Sequence, residues 1–185
     1  MNIDPNSLVE KLISKGLSID YYKELMEDVK YVNVSLDTNF QKKFNYFYKV
    51  RRDEHWRKAY YSLFEECKNK PDISFKEIIT KLYDVTENIE ASFSSKILAT
   101  LKPEMPIWDQ YVLKNCNFHL KGKTKDERLL DAINIYDEIV TWYDRFLTTD
   151  TAKESIRIFD LNMPNYQWLS DVKKMDFIIW GTTRN

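Results

Sequence analysis

At 185 residues the chain has the length of one domain able to bury a substantial core. Three glycines and five prolines are too few for the many tight turns of a β-sandwich or barrel, while 15% aromatic residues supply large rings for packing between helices. A formal charge of −1 excludes a general pull toward polyanions, so a nucleic-acid site must come from local clustering, and two cysteines exclude a disulfide framework.

The opening MNIDPNSLVEKL lacks the basic, apolar, small-residue order of a signal peptide, and no apolar run approaches the ~20 residues that cross a bilayer; a cytoplasmic protein without membrane contact is expected. A first helix is predicted from Asn6 to Lys15, with Val9, Leu12 and Ile13 inward and Gly16 as a stop. Ser18 caps a second, Tyr21 to Val32, whose face carries Leu25, Val29 and Val32. Phe40, Phe44, Phe47 and Tyr48 trace a third, and after a turn near Arg52 and Asp53 a fourth carries Trp56, Tyr60, Phe64 and Cys67.

Across these two helices run Lys42, Lys43, Lys49, Arg51, Arg52, Arg57 and Lys58, interleaved with rings. Lysine and arginine release condensed counterions from a phosphate backbone, and rings stack on bases. The same helical spacing also sends rings inward and charges to a solvated face, so both readings stand. Arg51 and Arg52 are the strongest nucleic-acid candidates, with Lys42, Lys43 and Arg57 beside them.

Ser74-Phe75-Lys76-Glu77 reads as a capping box opening a helix with Ile78, Ile79, Leu82 and Tyr83. Next comes EASFSSKILATLKPEMPIWDQYVL, Glu90 to Leu113, around which the chain is organised. Phe93, Ile97 and Leu101 recur on one helix face, and Lys96 falls off that face. Lys102-Pro103 and Met105-Pro106 end the helix and stiffen the loop, because proline lacks the next donor and pushes the residue before it into an extended conformation. Asp109 is placed to cap a further helix beginning at Gln110.

The loop Asn117 to Lys125 holds His119, Lys121, Gly122 and Lys123. Gly122-Lys123-Thr124 is not the end of a phosphate loop: Asn117 stands where the earlier glycine belongs and no strand precedes it. Lys121 and Lys123 remain candidates for touching DNA, against the plainer reading of a solvated loop. A second capping box, Thr124 to Glu127, opens the longest helix, with a stripe of Leu129, Leu130, Ile133, Tyr136, Ile139, Val140, Tyr143 and Leu147. Thr151 to Glu154 starts another helix, Pro164 breaks the chain, and Val172 to Trp180 forms the last, closed by Gly181. The expected architecture is all-α, a single domain over residues 1–185 with nine or ten helices.

The order small polar turn, Lys96, apolar helix, Pro106, apolar residue, Asp109, apolar helix resembles the core of the helix-hairpin-helix DNA glycosylases of the 8-oxoguanine type. The resemblance implies that Lys96 attacks the sugar carbon of a flipped nucleotide to form a Schiff base, that Asp109 assists, and that DNA is the partner. The family's glycine-rich hairpin is here Ala91-Ser92-Phe93-Ser94-Ser95, without glycine. A nucleophilic lysine must be partly neutral, which requires a desolvated pocket or a neighbouring cation. Asp109 is either a plain cap or a carboxylate stabilising positive charge on the sugar, and Trp108 either stacks on an extruded base or belongs to the core. The other reading is a non-enzymatic helical module binding nucleic acid or a protein partner, of the kind carried by mobile elements and defence loci. No cofactor is implied: Cys116 and His119 give half a zinc spacing, and the remaining pair, Cys67 and His55, sit on one predicted helix.

Overall fold

Short polar side chains fix where most of the helices start. Asp37, Asp53, Ser74, Thr124 and Thr149 each accept a hydrogen bond from a backbone amide in the first turn, satisfying a donor that has no partner within the helix. In the computed structural model, which describes residues 19–183, these caps open α2 (Thr38–Tyr48), α3 (Glu54–Lys68), α4 (Phe75–Thr86), α7 (Lys125–Phe146) and α8 (Asp150–Asn162). The remaining helices are α1 (Ile19–Asp28), α5 (Ala91–Leu101), α6 (Gln110–Cys116) and α9 (Asp171–Thr183), with a single 3-10 turn at Pro164–Tyr166. Among the described residues there is no strand, and the chain forms one compact all-α domain. The helix expected from Asn6 to Lys15 and the Ser18 cap lie outside the described residues.

Rings weld the layers together. Phe40 and Phe44 of α2 meet Tyr60, Tyr61 and Phe64 of α3, and Phe47 of α2 meets Phe177 and Trp180 of α9. Burying each such side chain is worth ~1.5–3 kcal/mol relative to leaving it in water. α4 packs against α3, α5 and α7, and α9 packs against α8 and α6. Glu87 to Glu90 join α4 to α5, with Glu87 in the left-handed region at φ 55°. Ala91 to Ser95, read from the sequence as the turn, is instead the opening of α5.

Other boundaries shift for physical reasons. α1 ends at Asp28 rather than Val32, and the Val32 carbonyl accepts from Lys68 Nζ at 2.5 Å on α3. On α7 the complete capping box forms, but the buried stripe is Ala132, Ile135, Tyr136, Ile139 and Tyr143, while Leu130 is exposed. Gly181 does not close the last helix; α9 runs through it to Thr183. Gly122 is needed where it stands, because a Cβ there would lie 2.5 Å from the Arg128 backbone nitrogen at the start of α7. No helix among the described residues is long and apolar enough to cross a membrane.

Candidate functional site

α5 is covered on several sides, so that Ser94 through Thr100 are all buried. A stripe at four-residue spacing marks one packed face but cannot say that the opposite face is also covered. Lys96, which the spacing sets off the apolar face, is therefore only 8% exposed. Its Nζ donates to the Ser92 carbonyl at 3.0 Å and to Ser92 Oγ at 2.5 Å, and lies 5.2 Å from the centre of the Phe93 ring and 6.0 Å from that of Tyr48. Burial pushes the Lys96 pKa down from the ordinary 10.5 to about 8; Asp109 and Glu90 oppose the shift, and the Lys173 ammonium reinforces it. At pH 7 roughly a tenth of such a group is the free amine, against ~0.03% for an ordinary lysine.

The loop that delivers Asp109 is held by three clasps. Ser170 Oγ donates to the Pro103 carbonyl at 2.6 Å, Tyr136 Oη donates to the Pro106 carbonyl at 2.8 Å, and the Trp108 amide donates to Ser95 Oγ at 2.9 Å. The last ties the loop directly to the helix carrying Lys96. Proline removes donors from this segment, and other elements supply the partners for its carbonyls. Asp109 then starts α6, its carbonyl accepting from the Leu113 amide at 3.0 Å. Lys96 and Asp109 line the same cavity, of about 190 Å³, with Phe47, Tyr48, Lys49, Gln110 and Trp180 as the other walls. Lys49 and Gln110 are exposed, so the cavity reaches solvent.

Trp108 is not on that wall. It is 6% exposed and lies parallel to Phe75 with ring centres 6.3 Å apart, so a stacking role on an extruded base is replaced by a core role. Trp180, on α9, is the indole that faces the cavity. The basic residues divide as well. Arg52 reaches across to Glu90, its guanidinium 2.9 Å from both carboxylate oxygens, while Trp56 Nε1 donates to the same carboxylate at 3.1 Å. Lys43 is bound by Glu24 and Asp28 at 2.7 and 2.9 Å. Arg52 and Lys43 are thus committed to ion pairs, whereas Lys42 and Arg51 are exposed and Arg57 is half-buried. Lys121 and Lys123 are exposed on a loop whose amides are held by Asp131 and Glu127.

Because Glu90 is 6% exposed, Arg52→Ala should act on folding before it acts on any ligand. Leaving the carboxylate with only the indole donor is expected to cost about 1–3 kcal/mol in urea unfolding.

A second polar cluster, not foreseen from the sequence, is buried where α9 meets α7. Lys173 Nζ donates to Asp176 at 2.8 Å, Tyr143 Oη donates to the other Asp176 oxygen at 2.7 Å, and both charged residues are at most 2% exposed. Burial disfavours the Lys173 ammonium, but Asp176 together with Tyr22 and Tyr48 outweighs that and holds its pKa above the ordinary lysine value. The i, i+3 spacing of Lys173 and Asp176 on a helix whose other residues from Val172 to Trp180 are apolar except Lys174 was the available sequence sign. Ser92 and Tyr48 had no comparable sign, since their roles depend on which helices meet.

Among the described residues no group of three or more histidine, cysteine, aspartate or glutamate side chains is placed to hold a metal. Cys67 is buried, and burial pushes its thiol up to about 11, unsuited to nucleophilic work. Compared with protein-family models, curated proteins and solved structures, the chain matches none.

Proposed function

We propose that the chain acts on DNA as a base-excision glycosylase and lyase, with Lys96 as the amine nucleophile and Asp109 as its assisting carboxylate. The observation that carries this reading is a desolvated lysine, its pKa near neutrality, sharing a solvent-reaching cavity with an aspartate. The free amine of Lys96 attacks C1′ of an extruded nucleotide, and the glycosidic pair leaves with the base, which takes up a proton. The sugar ring then opens: the C1′–O4′ bond breaks with its electron pair on O4′, which takes up a proton as the nitrogen loses one, giving an imine between Lys96 and C1′. Asp109 stabilises the positive charge that develops on the sugar during departure of the base. On this reading the α4–turn–α5 pair takes the place of the family's hairpin, with Glu87 and Glu90 in its turn where the family has glycines.

Borohydride reduces such an imine to a stable amine, so it should trap the protein on duplexes bearing 8-oxoguanine or an abasic site. Lys96→Gln should leave no adduct, and the parent's trapping rate should rise with pH up to about 8 as the free amine accumulates. Absence of an adduct on every lesion duplex would remove the catalytic claim.

The turn without glycine favours a second reading, a helical module that binds nucleic acid or a protein without chemistry, because the exposed Glu87 opposes a phosphate backbone at the position where a glycine hairpin would meet it. Gel shifts at two salt concentrations separate the two partners: a steep salt dependence marks phosphate contact, and absence of any shift leaves the protein partner.

A further inference from the structure

Lys49 carries one wall of the Lys96–Asp109 cavity out to the surface. It ends α2 in the left-handed region, φ 55°, its amide bonded to the Asn45 carbonyl. That conformation is uncommon outside glycine, asparagine and aspartate. The turn brings the side chain back over the helix, where Nζ sits 4.2 Å from the centre of the Tyr46 ring. Tyr46 is 58% exposed and pairs with Tyr21, 39% exposed, at 5.2 Å between ring centres and a tilt of 46°. In a chain that buries most of its large rings, these two stand at the surface one side chain away from the cavity wall. Lys49 also differs from its neighbours in the basic stretch: Lys43 and Arg52 are neutralised by carboxylates, whereas Lys49 makes no ion pair among the described residues and rests on a ring.

We infer that Tyr46, Tyr21 and Lys49 form a platform for a DNA strand at the cavity mouth, Tyr46 stacking on the base beside the one that enters and Lys49 taking the adjoining phosphate. A base has a π-face that an exposed tyrosine can cover whatever its sequence, and a lysine lying on that tyrosine can swing onto the phosphate as the base replaces it. Arg51, exposed two residues beyond Lys49, continues the positive side of the strand's path. Glu24 and Asp28 on α1 are the acidic groups on this side, and Lys43 offsets them through its two ion pairs. The platform rests on the DNA reading above but not on the lysine chemistry.

The test is fluorescence anisotropy with a short labelled single-stranded DNA, at several salt concentrations. Tyr46→Ala should weaken binding by about 5- to 150-fold and Tyr46→Phe should retain it, since the ring and not the hydroxyl is required. Lys49→Ala should lower the slope of log affinity against log salt by about 0.7, the value for one phosphate contact on a single strand. Tyr46 is largely exposed, so the variants should melt with the parent, and a shared melting curve validates the comparison. Parent-like binding by both Tyr46→Ala and Lys49→Ala, or no binding of the oligonucleotide by the parent at low salt, would overturn the platform. Borohydride trapping separates the two ideas. An undiminished adduct in Tyr46→Ala refutes the platform alone, while binding that depends on Tyr46 with no adduct refutes the Lys96 chemistry alone.

Discussion

Lys96→Met is expected to be more stable than the parent chain at pH 7 by about 3 kcal/mol, an advantage that fades as the pH rises from 8 to 10.5. The lysine's pKa stands near 10.5 in the unfolded chain and about 8 in the folded one. Below pH 8 the group is protonated in both states, and the folded protein bears the full cost of a desolvated ammonium, ~1.4 kcal/mol for each pH unit between the two values. Between 8 and 10.5 the folded state releases its proton while the unfolded state keeps one, so the parent gains stability relative to the variant. Above 10.5 both are neutral and the pH-dependent part of the difference is gone. Urea unfolding of the two proteins at pH 7 and again near pH 10 measures it directly, and other titrating groups cancel because both proteins carry them. A difference that does not change with pH would show that Lys96 is not desolvated as the fold places it. Methionine fills similar volume without charge, so at neutral pH Lys96 costs the fold stability that an apolar side chain at the same place would not.

Five of the helices were legible twice over, through an apolar period and through a cap. Asp53, Ser74 and Thr124 start their helices where the sequence puts them, and the rings of α2 and α3 turn inward as their spacing demands. The candidate pair was legible for another reason: two prolines bracket a short loop, and a loop that short keeps Asp109 near the helix it leaves. What the sequence does not carry is which faces become covered by elements distant along the chain. Lys96 is buried because α5 is enclosed, Trp108 turns into the core because Phe75 offers it a face, and Arg52, though exposed, is engaged because Glu90, thirty-eight residues on, is buried beside it. Spacing within one helix is blind to all three. The basic stretch is the clearest instance, since its cations look alike in sequence, yet ion pairs engage Lys43 and Arg52 and leave Lys49 resting on a tyrosine ring at the cavity mouth.

Asp176→Ala should be the most damaging single change in the described chain. It removes the partner of a lysine that is 1% exposed, and an uncompensated ammonium at such depth costs about 3–5 kcal/mol, where a whole domain is stable by only ~5–15 kcal/mol. The melting temperature should fall by roughly 6–20 °C. Tyr143→Phe, which removes one donor to Asp176 and leaves the ion pair, should cost only about 1 kcal/mol. The pair itself is expected to be dispensable for folding: Lys173→Met with Asp176→Leu, which replaces both charges by side chains of similar bulk, should restore most of the loss. Its consequence then appears at the cavity. Lys173 is the cation that adds to burial in lowering the Lys96 pKa, and the double variant lacks it. The pH midpoint of Lys96 reactivity, read by borohydride trapping or by an amine-selective reagent, should therefore move upward in a protein that folds normally. A midpoint that stays put or moves down would confine the Lys173–Asp176 pair to a structural role and leave burial, opposed by Asp109 and Glu90, to set the Lys96 pKa.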